Sequence, residues 1–196
     1  MVIIRSASPT LKASAGVWAG AEGEREKRSF YGEQAGRGDK AVAIRNAAKA
    51  VILRDGKILV NKCRDEETGE IYYDLPGGGQ RPFETMEEAL VREVMEETGY
   101  RVSVVRFAAL AEEIYLSEEL RAKYCDYCHR ILHIFLVQLE ENEKQACLEM
   151  DFQQEASLWI GLESADKLPF RPGSLNGALR KMAGESHPLY LGTVYR

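Results

Sequence analysis

The sequence predicts an α+β fold, in which helices pack on a mixed β-sheet to form a sandwich. Strand-like apolar segments come both before and after one clearly marked helix, and a second helix is predicted near the C-terminus. The chain has 196 residues, enough for one well-packed domain and a tail. Its hydrophobic content of 45% and charged content of 29% are typical of soluble globular proteins.

For the first 44 residues, the sequence predicts a flexible or loosely ordered N-terminal extension. The folded domain is expected over residues 45–196. The extension contains many Gly, Ala, Ser and charged residues and no sustained period of 2 or 3.6. No apolar run reaches the roughly 20 residues that span a bilayer, and the first apolar stretch is too short for a signal peptide. We therefore expect a cytoplasmic protein without a membrane partner, with its four cysteines reduced.

Three strands are predicted at the start of the domain. The apolar run 48–53 and the segment 57–62 flank Asp55-Gly56, a pair that favours a hairpin because both turn positions need positive φ. Ile71 to Asp74 is the third strand. The Pro76-Gly77-Gly78-Gly79 segment then interrupts regular structure.

A helix is predicted from about Met86 to Thr98. Thr85 and Glu88 have the spacing of a capping box, and Gly99 suits the residue that ends a helix. Further strands are predicted over 102–109, 131–139 and 158–162, and a last helix over 174–182.

The helix predicted from Met86 to Thr98 carries three acids on an unexpected face. With 100° per residue, Glu93, Glu96 and Glu97 fall on the same side as the apolar residues of its first turns, which should face the sheet. The carboxylates repel one another and lie at the helix end that disfavours anions. A divalent cation such as Mg²⁺ or Mn²⁺ would offset these effects. A solvated acidic face is the alternative, and Glu87, Glu88 and Arg92 are assigned to it.

The segment from Gly78 to Tyr100 resembles the Nudix box of the Nudix hydrolases, whose pattern is G-x5-E-x7-R-E-U-x-E-E-x-G-U, with U a bulky apolar residue. Tyr100 departs from the pattern, since the family usually has Ile, Leu or Val there, but it is bulky enough to pack. Leu75-Pro76-Gly77-Gly78 also resembles the family's entry to the box. The matching positions are Gly78, Glu84, Arg92, Glu93, Val94, Glu96, Glu97 and Gly99.

The resemblance implies an α/β/α sandwich and metal-dependent hydrolysis of a nucleoside diphosphate linked to another group, such as a nucleoside triphosphate, ADP-ribose or a nucleotide sugar. It implies that Glu96, Glu97 and the Gly77 carbonyl bind Mg²⁺ or Mn²⁺. Glu93 would be a further ligand or the general base, and Arg92 would orient the glutamates. Glu84 would support the loop or approach a metal through water.

Several alternatives stay open. A non-catalytic nucleotide-binding regulator on this fold would be expected to lose a box acid, and none is lost. A metal-dependent isomerase would need a base that we cannot place. The net charge of −5 makes nucleic acid an unfavoured partner, and a homodimer is left open.

Residues outside the box are less informative. The family often uses a further downstream acid, and the candidates here are Glu112, Glu113, Glu141 and Glu155. Three tyrosines around the predicted short helix 117–124 could stack on a nucleobase or simply pack: Tyr115, Tyr124 and Tyr127. Cys125 and Cys128 fit a zinc half-site or, more simply, two partly buried thiols.

Overall fold

The computed structural model describes residues 43–141, 144–146 and 153–196. Residues 1–42 of the predicted N-terminal extension lie outside the described residues, and so does Cys147. The first strand begins at Arg45, where the folded domain was predicted to begin.

The described residues form seven strands, four α-helices and one 3₁₀ helix. The strands are β1 (Arg45–Arg54), β2 (Lys57–Arg64), β3 (Ile71–Asp74), β4 (Val102–Ile114), β5 (His129–Leu139), β6 (Gln154–Gly161) and β7 (Leu189–Tyr195). The helices are α1 (Met86–Thr98), α2 (Glu118–Lys123), α3 (Leu162–Ala165) and α4 (Leu179–Gly184), with the 3₁₀ helix at Gly173–Leu175.

The strands form two sheets that diverge from one hairpin. In the first sheet, β1 pairs in parallel with β5, β5 is antiparallel to β4, and β4 is parallel to β7. In the second sheet, β2 is antiparallel to both β3 and β6. β1 and β2 pair only next to the turn, at Leu53–Ile58 and Arg54–Lys57. Beyond the turn the sheets separate and leave space between them.

The core has one layer on each face of the first sheet. Leu90 and Val94 of α1 pack with Ala48 and Ile52 of β1 and with residues of β5. On the other face, side chains of β1, β4 and β5 pack with the 3₁₀ helix and with α4, including Leu179. The predicted sandwich of helices on a mixed sheet is therefore confirmed.

Most local predictions near the box are confirmed. Asp55 and Gly56 have φ values of 50° and 70°, as the hairpin turn requires. Thr85 and Glu88 form both halves of the capping box, and Gly99 adopts the left-handed conformation at the C-cap. The helix predicted at 117–124 is α2, with Ser117 as its N-cap.

The C-terminal prediction is wrong in two respects. The single helix expected over 174–182 is instead the 3₁₀ helix and α4, because Asn176 is extended and Gly177 has a φ of 71°. β7 was not predicted, although it forms the edge of the first sheet beside β4. Among the described residues, no helix has the length and apolar character needed to cross a bilayer.

Candidate active site

The glycine-rich loop lies directly against β1. The Ala48 amide donates to the Gly78 carbonyl over 2.9 Å, and the Ala50 amide donates to the Pro76 carbonyl over 2.8 Å. Gly77 has a φ of +123°, and a Cβ there would overlap the Ala48 carbonyl oxygen. The close approach therefore requires glycine.

Glu97 is the carboxylate that joins helix α1 to this loop. Its side chain is buried, and its Oε2 accepts from the Gly77 amide (2.9 Å) and from Asn61 Nδ2 (2.8 Å). Asn61 is oriented by Ser157, whose hydroxyl donates to Asn61 Oδ1 over 2.8 Å. These charge-assisted bonds place one box acid at the inner end of the loop.

Arg92 holds the outer carboxylates. Its Nε and Nη2 donate to the two oxygens of Glu84 at 2.7 and 2.9 Å, and Nη1 donates to Glu93 (2.6 Å) and to Glu96 (3.0 Å). Nη2 also donates to the Gly79 carbonyl at 3.1 Å. Because of the Arg92 guanidinium, the pKa of Glu84 is lowered to about 2, and the carboxylates raise the pKa of Arg92.

Arg92 therefore does not lie on a solvated face, where periodicity alone had assigned it; its side chain is 17% exposed. Glu87 and Glu88 are exposed, as expected. Glu93, Glu96 and Glu97 lie on the loop side of α1, but Arg92, Asn61 and the Gly77 amide already relieve their repulsion. Repulsion by itself is thus no argument for a metal in this protein.

A divalent cation fits the donor chemistry of this site. Three carboxylates and the Gly77 carbonyl could supply hard oxygen ligands, and the Glu93 carboxylate lies so close to Gly78 that a Cβ there would overlap it. Within the described chain, no three His, Cys, Asp or Glu side chains are grouped to hold an ion. The carboxylates instead bond Arg92, Asn61 and the Gly77 amide.

Sequence reasoning missed Lys49, which lies under the loop. Lys49 is 4% exposed, and its Nζ donates to Asp74 Oδ2 (2.8 Å), the Leu75 carbonyl (3.0 Å) and the Gly77 carbonyl (2.6 Å). A lysine within the apolar run of β1 was the available signal. Asn61, within the apolar run of β2, gave a similar signal.

The downstream acids occupy different places. Glu113 is completely buried and paired with Arg130, while Glu112 bonds His129 (3.0 Å) and Thr193 (2.7 Å). Glu155 pairs with Lys62 and Arg64 at the surface, and Glu141 is exposed. None of the four contacts the box carboxylates in the described part of the chain.

The two cysteines before β5 are free thiols, one buried and one partly buried. Cys128 is buried and its thiol contacts the Cys125 carbonyl at 3.3 Å, while His129, which follows it, is paired with Glu112. No metal-holding group includes them among the described residues.

A cavity opens between the two sheets next to the box. We call it the arginine cavity, because three arginines line it: Arg130, Arg171 and Arg196. Its wall also contains all three tyrosines noted in the sequence and a fourth from β3: Tyr72, Tyr115, Tyr124 and Tyr127. The rings of Tyr115 and Tyr124 meet edge to face with their centroids 6.3 Å apart, a favourable arrangement for an aromatic pair.

Comparisons with known proteins agree with this geometry. A family model described as NUDIX domain matches residues 43–178. A protein of Bacillus subtilis (strain 168) named "Putative 8-oxo-dGTP diphosphatase" is 46% identical over 58 residues, which are 29% of this chain and 36% of that protein. The match thus spans about a third of that relative.

Two solved structures share the fold. A NUDIX hydrolase from Nitrosomonas europaea superposes with a TM-score of 0.54 and 18% identity, covering 72% of this chain and 88% of that one. An ADP-ribose pyrophosphatase from Streptococcus suis 89-1591 has a TM-score of 0.51 and 20% identity, covering 76% of this chain and 99% of that one. At these identities the likeness establishes the fold alone.

Proposed function

The chain belongs to the NUDIX family, and on that premise we propose that it is a hydrolase of pyrophosphate bonds, which cleaves a nucleoside diphosphate linked to another group and uses Mg²⁺ or Mn²⁺. The observation that carries this proposal is the gathering of Glu93, Glu96 and Glu97 around the loop that contains Gly77. We further propose that the substrate is a small molecule and that the protein acts in the cytoplasm.

Each box residue has a proposed task. Glu96, Glu97 and the Gly77 carbonyl hold the cation, and Arg92 keeps the carboxylates in place through its bonds to Glu93 and Glu96. When bound, the cation neutralises phosphate charge and lowers the pKa of water. Lys49 supports the site because it fixes Leu75 and Gly77 from below.

Glu93 is proposed as the proton acceptor for the attacking water, or as a further ligand. Its Oε1 accepts from Arg92, whereas among the described residues no protein donor bonds its Oε2, which lies nearest to Gly78. That oxygen is thus available to take the proton as water attacks phosphorus and the bond to the bridging oxygen breaks. Glycine at position 78 leaves room beside it.

The proposal is tested with a panel of nucleotide substrates and Mg²⁺, with a coupled phosphatase detecting the products. The wild-type protein should hydrolyse at least one, and Glu97→Gln should lower kcat by about 100-fold or more, since removing one group of a catalytic centre typically costs that much. Glu87→Gln is the matched control, because Glu87 lies on the exposed side of the same helix.

Two results would contradict the proposal. One is a folded wild-type protein that hydrolyses no member of the panel, which would favour a binding module. The other is a Glu97→Gln variant as active as Glu87→Gln. Circular dichroism of each variant establishes that the fold is retained.

A further inference from the structure

The arginine cavity is connected to the box on two sides. Asp74, in its wall, pairs with Lys49 at 2.8 Å, and Lys49 bonds the Gly77 carbonyl. On the other side, Tyr127 lies 4.8 Å from the Arg45 guanidinium, and Arg45 lies against Gly79 so closely that a Cβ there would overlap it. A substrate with its diphosphate at the box therefore has this cavity as its neighbour.

The cavity wall contains three arginines and three acids, and two of those acids pair with lysines that do not line the cavity. Asp65 pairs with Arg171 (2.5 Å), Asp74 with Lys49, and Glu67 with Lys123. The remaining two arginines share one buried carboxylate, that of Glu113. Arg130 bonds Glu113 Oε2 through both Nε and Nη2, and Arg196 Nη1 is 3.9 Å from Oε1. Among the described side chains, Arg130 and Arg196 thus have one carboxylate between them, in a partly buried setting where an anion is attracted to a guanidinium more strongly than in water.

The guanidinium groups also retain donors for a ligand. Within the described residues, the Arg171 side chain bonds only Asp65, through Nη1, while its guanidinium carbon stacks 4.0 Å from the Tyr72 ring centre. The Arg196 side chain bonds only the Tyr115 hydroxyl, through Nη1 at 3.1 Å. Both side chains are partly buried, at 22% and 33% exposure. Their unused N–H groups belong to guanidinium planes already held in place, which lowers the entropic cost of binding.

We propose that the arginine cavity binds a phosphomonoester on the group attached to the diphosphate, with Arg171 and Arg196 as the residues that select for it. This inference rests on the proposed function, because it names a feature of the substrate of the same site. A phosphomonoester carries nearly two negative charges and three acceptor oxygens, which suits two guanidinium groups better than a single-charged carboxylate does. The surrounding tyrosine rings provide surfaces for the sugar or base that bears it.

Arg196 lies outside the part of the chain that the family model matches. It follows β7, and both lie beyond residues 43–178, which the family model matches. β7 is aligned by its pairing with β4, and the Arg196 amide donates to the Ile114 carbonyl at 3.0 Å, while its main-chain oxygen accepts from the Leu116 amide. The edge strand β7 therefore brings to the cavity a cationic side chain, Arg196, that lies outside the matched family region.

The test uses substrate pairs that differ by one phosphomonoester: coenzyme A against dephospho-coenzyme A, and NADP⁺ against NAD⁺. With the full chain and Mg²⁺, kcat/KM should be at least about tenfold higher for the phosphorylated member of a pair. Arg196→Gln and, separately, Arg171→Gln should bring that ratio close to one. Arg180→Gln is the matched control, because Arg180 is an exposed arginine outside the cavity, and it should keep the ratio.

A binding measurement separates this inference from the proposed function. Adenosine 3′,5′-bisphosphate and adenosine 5′-monophosphate, titrated calorimetrically without metal, contain no diphosphate bond. The bisphosphate should bind at least about tenfold more tightly, less so in high salt, and Arg196→Gln should remove the difference. If the protein hydrolyses panel substrates yet treats both members of every pair alike, the cavity proposal is wrong while the hydrolase proposal stands. A preference for the bisphosphate without any hydrolysis would support the cavity proposal and overturn the hydrolase proposal.

Discussion

Arg92 shows how much of the candidate site one side chain organises. It bonds Glu84, Glu93, Glu96 and the Gly79 carbonyl at once. Only a guanidinium has enough donors in a rigid plane for this arrangement; a lysine has three donors on one atom. The Arg92 guanidinium therefore holds these carboxylates close together even before a cation is considered.

The pair of Glu84 and Arg92 should make stability depend on pH. The folded-state pKa of Glu84 is about 2, below its ordinary value of 4.5. A carboxylate with a depressed pKa stabilises the fold above pH 4.5 and loses that contribution as the pH falls from 4.5 towards 2. Glu84→Gln should therefore lower the free energy of unfolding by about 1 kcal/mol at pH 6, and the deficit should shrink below pH 4.5.

Urea denaturation at pH 6 and at pH 3 measures this difference. Glu87→Gln removes the same charge from an exposed position of α1 and should change stability by less than about 0.5 kcal/mol at either pH. An equal deficit for Glu84→Gln at both values of pH would rule out the ion pair as its source.

At the scale of single elements, helix α1 presents the acids because both of its ends are well defined. The capping box starts the helix at Met86, and Gly99 ends it in the left-handed conformation, with its amide donating to the Met95 carbonyl. Between these ends, Ala89, Leu90 and Val94 are buried and set the rotation of the helix. Glu97 follows Val94 by three residues and is therefore directed to the same side.

Loss of the cap should weaken this element without removing the site. The Thr85 hydroxyl accepts from the Glu88 amide at 3.2 Å, and Thr85→Ala should lower the free energy of unfolding by about 1 kcal/mol. Thr85→Ser keeps an acceptor and should lose only a few tenths of that amount. Thermal and urea unfolding measure both changes, and equal stability of the Ala and Ser variants would show that the cap contributes nothing.

The C-terminal elements show where local patterns fail. Ser174 to Met182 has helical character, but the Asn176 side chain accepts from the Phe170 amide at 2.9 Å, and this tertiary bond favours an extended Asn176 over a continuous helix. β7 is half-buried along most of its length and lacks a clear alternation, so only its pairing with β4 identifies it.

At the scale of the molecule, the divergence of the two sheets determines where a substrate can lie. Because β1 and β2 pair only at their turn, β2 and β3 leave the first sheet and form the opposite wall of the arginine cavity. Cys63 and Tyr72 come from that wall, whereas Arg130 comes from β5. The box borders one end of this space through Lys49 and Asp74.

Binding of the proposed cation should stabilise the whole domain. Mg²⁺ or Mn²⁺ at about 100 times its dissociation constant contributes about 2.7 kcal/mol if it binds only the folded state, which corresponds to a rise in Tm of about 5–10 °C for a domain of this size. Differential scanning fluorimetry, with EDTA as the metal-free reference, gives this shift. Glu97→Gln should largely lose it, while Glu87→Gln keeps it. A shift of equal size in both variants would place the cation elsewhere.

The sequence alone determined the features that depend on neighbouring residues. The hairpin turn at Asp55-Gly56, the limits of α1 and the side of α1 that carries Glu93, Glu96 and Glu97 all follow from backbone preferences and helical period. The pattern from Gly78 to Tyr100 also identified the family. These features require no knowledge of distant contacts.

Only the tertiary structure decided which distant residues complete the site. Lys49 and Asn61 lie on β1 and β2, and Arg196 follows β7. Strand pairing and sheet divergence bring Lys49 to the Gly77 carbonyl, Asn61 to Glu97 and Arg196 to the cavity. For Arg92, the tertiary structure decided between the solvated face that periodicity predicted and the contact with the glutamates that the resemblance implied, in favour of the second. The physical reason is that burial and ion pairing depend on the whole arrangement of the chain, whereas turns and caps depend on a few adjacent residues.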